Sequence, residues 1–268
     1  MGYKVTVIGG ANADIAGTPS CVLNMHDSNP GSVFITAGGV GRNIAENLRN
    51  FGCDVSLISA FGNDIAGSLL VENCKSLGID ISMSKIFDDA RTSLYVYIND
   101  ETGDMHTAVN DMQITEKISP EFLSSCIDFI NSGDACVIDA NIPVESIEYI
   151  CDNVSVPVFA DPVSVAKCMK LKSVLSKLTA IKPNRAEFAA YGEVPCLCYI
   201  SMGQDGMLVI DGDNRLSVKA PDISVVNTNG CGDTAMAAIV YGTLEGLDIK
   251  SVAEFAVKSA SERAAGLI

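Results

Sequence analysis

Two patterns of apolar residues alternate along the chain. Runs that are apolar at nearly every position predict strands over 3–8, 55–59, 135–139, 157–160, 179–182, 197–201 and 207–211. Between them, apolar residues spaced three and four apart predict helices over 40–51, 65–77, 120–131, 144–151, 165–178, 185–191, 233–245 and 252–265. A strand that is apolar on both faces must be covered on both. Strands of this kind, each followed by a helix, imply an α/β fold with a mainly parallel sheet between helical layers. Ligands of such sheets bind beyond the carboxyl ends of the strands, so the strand-to-helix loops are where chemistry is expected.

One segment departs from this rhythm. Residues 91–110 read RTSLYVYINDETGDMHTAVN, two stretches of period two around a turn of Asn99, Asp100, Thr102 and Gly103. That is a β-hairpin rather than a strand–helix unit. With SVFITAGG near residue 35 as a further strand, it predicts a small separate sheet, with lid elements around 17–36 and 90–110. A lid or a dimer surface is the expected use of such a sheet; an antiparallel extension of the main sheet is the alternative.

Composition narrows the function classes. Of 268 residues, 48% are hydrophobic and 19% charged, enough apolar matter for a substantial core and against intrinsic disorder. Lys plus Arg number 18 against 33 Asp plus Glu, a net charge of −15, which argues against nucleic-acid and anionic-membrane partners. The ten Cys lie mostly in apolar stretches, with no Cys-x-x-Cys pair and two isolated His, so buried thiols in a reducing cytoplasm are expected rather than zinc or disulfides. The opening MGYKVTVIGG enters a strand directly, with an apolar run too short for a signal peptide or a membrane span.

Several phosphate and nucleophile motifs are missing. GNDIAGSL at 62–69 has Walker A spacing without its Lys, and VIGGANAD lacks the third glycine of a dinucleotide loop. Neither a Gly-x-Ser-x-Gly elbow nor a His-Glu-x-x-His pair occurs. The informative stretch is NTNGCGDTAMAAIVYG at 227–242. Gly230 and Gly232 allow a turn whose N–H groups converge at the positive end of a helix, an anion hole for phosphate. Asp233 at the helix start places a carboxylate beside that anion, which is unfavourable unless it accepts a proton from an attacking hydroxyl. The plainer alternative is an N-capping Asp after a glycine turn.

This stretch resembles the C-terminal signature of the PfkB/ribokinase family of carbohydrate and nucleoside kinases, and AGGVGRNIAENLRNFG at 37–52 resembles the N-terminal one. GGANADIAG, SAFGNDIAG, KPNRAEF and SMGQDG continue the likeness in order along nearly the whole chain. The resemblance implies a single kinase domain over 1–268, a ribokinase-like three-layer α/β/α sandwich with a small β-sheet lid. It implies Asp233 as general base and the N–H groups of Gly230, Cys231 and Gly232 as stabilisers of the transferring phosphoryl group. ATP as co-substrate would be held by Asn184, Ser201, Gly203, Gly206 and Thr228. Mg2+ would be organised, largely through water, by Asn184 and Glu187. The acceptor would meet Asn12, Asp14, Gly38, Gly39 and Asn43. The signature's first Asp is Asn227 here, which takes one carboxylate from the loop that holds K+ in members using that cation.

Within the family, TAGGVGRNIAENL, AVNDM, DANIP and DPVSVAK resemble the subgroup of pseudouridine kinases most. That implies 5′-phosphorylation of pseudouridine, with Asn110 and Lys167 as polar candidates for the base. A ribokinase or another nucleoside or sugar kinase is the first alternative, and a non-catalytic sugar- or nucleoside-binding regulator the second. A homodimer through the lid is the expected assembly.

Overall fold

The computed structural model describes residues 2–268. Its strands are β1 Lys4–Ile8, β2 Asn12–Pro19, β3 Gly31–Gly38, β4 Asp54–Ile58, β5 Ala60–Gly62, β6 Lys85–Phe87 and β7 Ser93–Asn99. They continue with β8 Met105–Asp111, β9 Ala135–Asp139, β10 Val158–Asp161, β11 Ala180–Ile181, β12 Leu197–Ser201, β13 Met207–Asp211 and β14 Asn214–Val218. The main sheet has the order β14-β13-β12-β11-β10-β9-β1-β4. From β12 to β4 every pairing is parallel, while β13 and β14 are antiparallel at one edge.

Alternating side chains of the central strands feed two separate cores. Val5 and Val7 of β1, with Ala135 and Val137 of β9, pack on the side of helices Val40–Asn50, Cys231–Leu244 and Ile249–Ala264. Ile8, Cys136 and Ile138 point the other way, towards helix Val144–Asn153 and its neighbours. The fold is thus an α/β/α sandwich, and the continuous apolar runs are explained by cover on both faces.

Three expected helices differ. Residues 120–131 form two short helices, Pro120–Ser124 and Ile127–Asn131. The hydroxyls of Ser124 and Ser125 donate to the carbonyls of Glu121 and Phe122, three residues back, and so compete with the helical ladder at the break. Residues 165–178 begin as one α-turn, Val165–Cys168, and continue as a 3-10 helix, Met169–Lys177. Its buried residues are Leu171, Val174 and Leu175; Leu171 and Val174, with Cys168 just before the helix, keep a spacing of three, which suits three residues per turn. The third helix starts at Cys231 rather than Asp233, with Gly230 as N-cap in the left-handed region (φ 77°). Asp233 therefore stands inside the first turn and is not the capping residue.

A second sheet of four strands, β3-β2-β7-β8, packs beside the first. Strand β2 was not anticipated as such. It opens three residues after β1, so the chain passes from one sheet to the other through Gly9, Gly10 and Ala11. Its register puts Asp14 across from Thr36 and Tyr95, and Tyr95 across from Asn110. The next row on the Asp14 face is Phe34, Ala16, Tyr97 and Ala108; the opposite face carries Ile35, Ile15, Val96 and Val109. Ile35, Val96 and Val109 on that outer face are exposed. All ten cysteines are free. Among the described residues no helix is long and apolar enough to cross a membrane, and no three His, Cys, Asp or Glu are grouped to hold a metal.

Candidate active site

Gly39 makes the first close approach. It is the N-cap of helix Val40–Asn50 at φ 98°, and a Cβ there would lie 2.6 Å from the backbone of Gly10 and Ala11. With no side chain in the way, the helix docks against the β1–β2 crossing. Asn43, one turn along, donates from Nδ2 to Asp233 Oδ2 at 2.8 Å. Thr234 Oγ1 donates to Asn47 Oδ1 at 2.9 Å, a second tie between the same two helices.

Asp233 is buried. Burial and the nearby Asp161 carboxylate push its pKa up to about 7, while the Asn43 hydrogen bond and the Lys182 charge oppose the rise. A carboxylate that titrates near neutrality is suited to take a proton from a hydroxyl. Ahead of it, the turn at Gly230 presents first-turn N–H groups with no partner inside the helix. One of the three is engaged: Cys231 N–H donates to Thr228 O at 3.3 Å. A cavity of about 780 Å3 opens onto this turn, lined among others by Ser201, Gly203, Gly206, Thr228, Cys231 and Gly232. The structure thus gathers the residues expected at the nucleotide around one cavity, with one exception.

The exception is Asn184 with Glu187. They form a capping box at the start of helix Arg185–Tyr191. Asn184 Oδ1 accepts from the N–H groups of Ala186 and Glu187 at 2.9 Å, and Glu187 Oε2 accepts from Asn184 N–H at 2.8 Å. One oxygen of each is thereby spent, and burial raises the Glu187 pKa. The second Glu187 oxygen remains, in the first turn of a helix whose N-cap, Asn184, is bridged to Ser201 beside the cavity. With the Asn184 oxygen already accepting two N–H groups, the free Glu187 oxygen is what this box offers Mg2+, which keeps several waters and leans on phosphate oxygens.

On the acceptor side, Asn12 Nδ2 donates to Asp14 Oδ1 at 2.5 Å. Burial raises the Asp14 pKa, against the Asn12 hydrogen bond and the Arg42 charge. A Cβ on Gly38 would fall 2.3 Å from Asp14 Oδ2, so glycine there leaves room for the carboxylate. Lys167 is half-buried and donates from Nζ to Asn141 Oδ1 at 2.6 Å. Asn141 in turn packs on Gly10, whose Cβ would meet its Nδ2 at 2.9 Å. Asn110 stands apart from these groups, exposed on β8 opposite Tyr95.

Sequence reading passed over Asn141, although it lies in the quoted DANIP motif, and over Tyr95 and Tyr97. Their rings stack at a tilt, 5.6 Å between centroids, on the face that bears Asp14. The alternation LYVY was the available signal. The buried Asp139, Asp161 and Lys182 open the quoted DANIP, DPVSVAK and KPNRAEF stretches, but no role was read for them there.

A family model described as pfkB family carbohydrate kinase matches residues 3–265. The chain is 36% identical over 273 residues to the pseudouridine kinase of Escherichia coli (strain K12), spanning 94% of this chain and 87% of that protein. A solved structure of a carbohydrate kinase from Agrobacterium tumefaciens superposes with TM-score 0.87 at 26% identity, covering 97% of this chain and 90% of that one. The Arabidopsis thaliana ribokinase solved with ribose and ATP gives TM-score 0.83 at 19% identity, covering 98% and 93%.

Proposed function

Since this chain belongs to the pfkB family of carbohydrate kinases, phosphotransferases acting on a hydroxyl group, we propose that it transfers the γ-phosphoryl group of ATP to the 5′-hydroxyl of pseudouridine. The observation that carries this reading is the Lys167–Asn141 pair, packed on Gly10 two residues before Asn12. Asp14 accepts hydrogen bonds from the ribose diol. Lys167 donates to a ring carbonyl oxygen, and Asn141 Oδ1, with one lone pair left beside its Lys167 hydrogen bond, accepts from the ring N–H that uridine lacks. A free pentose would leave the further hydrogen-bonding capacity of this pair unmet, which costs affinity.

The mechanism follows from the same geometry. Asp233 takes the proton of the acceptor hydroxyl, which attacks phosphorus in line, and the glycine-turn N–H groups stabilise the developing charge. ATP occupies the cavity bounded by Ser201, Gly203, Gly206 and Thr228. Asn184 and Glu187 would hold Mg2+ through its waters, and the ion would offset the phosphate charge that a chain of net −15 otherwise repels. Asn227 Oδ1 accepts the Asn229 N–H at 2.8 Å, so a requirement for K+ is not expected from this side chain. The small sheet serves as a lid. Its outer apolar face, with Val109 and Ile35 exposed, is the homodimer surface we propose. Light scattering at twice the mass of one chain, reduced to one by Val109→Lys, is the expected result; a wild-type monomer would overturn the dimer. ADP release with ATP, Mg2+ and a set of acceptors tests the activity.

A further inference from the structure

Beneath the glycine turn lies a buried charge cluster that the mechanism above leaves unused. Asp139 ends β9 and Asp161 ends β10, in register across neighbouring parallel strands, and Lys182 follows β11. All three are buried. Asp139 is satisfied by the N–H groups of Gly10 at 2.9 Å and Asn141 at 2.8 Å. Asp161 is not. Its Oδ1 accepts from Val163 N–H at 2.8 Å, but its Oδ2 faces Lys182 Nζ at 3.1 Å without a hydrogen bond of good angle, and has no other partner among the described residues.

Lys182 also reaches the turn itself. Its Nζ lies 3.2 Å from where a Cβ on residue 232 would be, so the glycine that shapes the anion hole also lets the ammonium come up against it. A buried ion pair contributes little net stability, because the cost of desolvating both charges offsets their attraction; apolar replacements are often as stable. A buried lysine in this place therefore calls for a role beyond holding the fold.

We propose that Lys182 is a positioning residue for phosphoryl transfer: a fixed positive charge, pinned by Asp161 under Gly232, that offsets the carboxylates converging there and leaves Asp233 able to accept a proton. The inference rests on the reading of Asp233 as the base. The groups that face Asp233 are Asp161 and Asp139 from the sheet, Lys182 after β11, and Asn43 from helix Val40–Asn50. Glu187 faces Lys182 from the other side, and Arg263 of helix Ile249–Ala264 approaches Gly230 and Cys231. Burial and Asp161 raise the Asp233 pKa, and Lys182 works against both. The Asp161 carboxylate, 3.1 Å from Lys182 Nζ, is the counter-charge that holds the buried ammonium in place.

The test is the titration midpoint of Asp233, read by carbon-13 carboxyl NMR against an Asp233→Asn blank, alongside the acid limb of kcat/KM. Lys182→Met should move both upward by about one pH unit or more, with the acceptor KM little changed. Asp161→Asn should move them downward. Unmoved midpoints, or two variants shifting the same way, would overturn the proposal. If Lys182→Met does not fold, Asp161→Asn decides alone, and a midpoint that stays or rises overturns it. The NMR readout needs no turnover, so an absence of kinase activity would sink the functional reading without deciding this one.

Discussion

Asn43 and Asp233 stand 190 positions apart and meet through one hydrogen bond of 2.8 Å that joins two helices at the buried carboxylate. Two signatures from opposite ends of the chain are thereby one constellation. Asn43→Ala removes a hydrogen bond to a charged group, worth about 1.5–3 kcal/mol, so kcat should fall roughly tenfold or more. The acid limb of the pH profile should rise, since that bond lowers the Asp233 pKa. Steady-state kinetics across pH checks both; an unchanged kcat would remove Asn43 from the site.

Asp233 also sets a stability prediction. Its folded pKa is raised from 3.8 to about 7, so folding favours the protonated form. The stability this group contributes is present below the unfolded value and is lost as pH rises through about 7. Asp233→Asn should therefore abolish turnover and raise Tm at pH 8, with little gain at pH 4. Calorimetric scans at the two pH values decide; a lower Tm at pH 8 would mean the carboxylate is not penalised.

Tyr95 and Tyr97 form an aromatic surface on the Asp14 side of the small sheet. A nucleobase can stack there, whereas a free pentose has no ring to offer. Tyr97→Leu should raise KM for a nucleoside several-fold and leave KM for ribose unchanged where ribose is turned over. Equal changes for both acceptors would contradict a base-stacking role.

Much of this was legible before the structure, for physical reasons that differ by residue. β1 and β9 were readable because both faces are buried, and the glycine turn because Gly230 needs a left-handed backbone. The helix break at Ser124 and Ser125 was not, since side-chain competition with the ladder leaves the apolar spacing intact. Strand β2 was hidden because its middle residues, Asp14 to Thr18, are only half-buried and Gly17-Thr18-Pro19 at its end reads as a turn. Asn141 and Lys182 became visible only when crossing strands brought them to Gly10 and Gly232.

The most direct measurement is ADP release with ATP and Mg2+ across pseudouridine, uridine, guanosine, ribose and fructose, paired with identification of the phosphorylated product. The account predicts kcat/KM highest for pseudouridine, with phosphate on the 5′-oxygen. Preference for ribose over pseudouridine would contradict the assigned acceptor, and no turnover of any sugar or nucleoside would contradict the kinase mechanism itself.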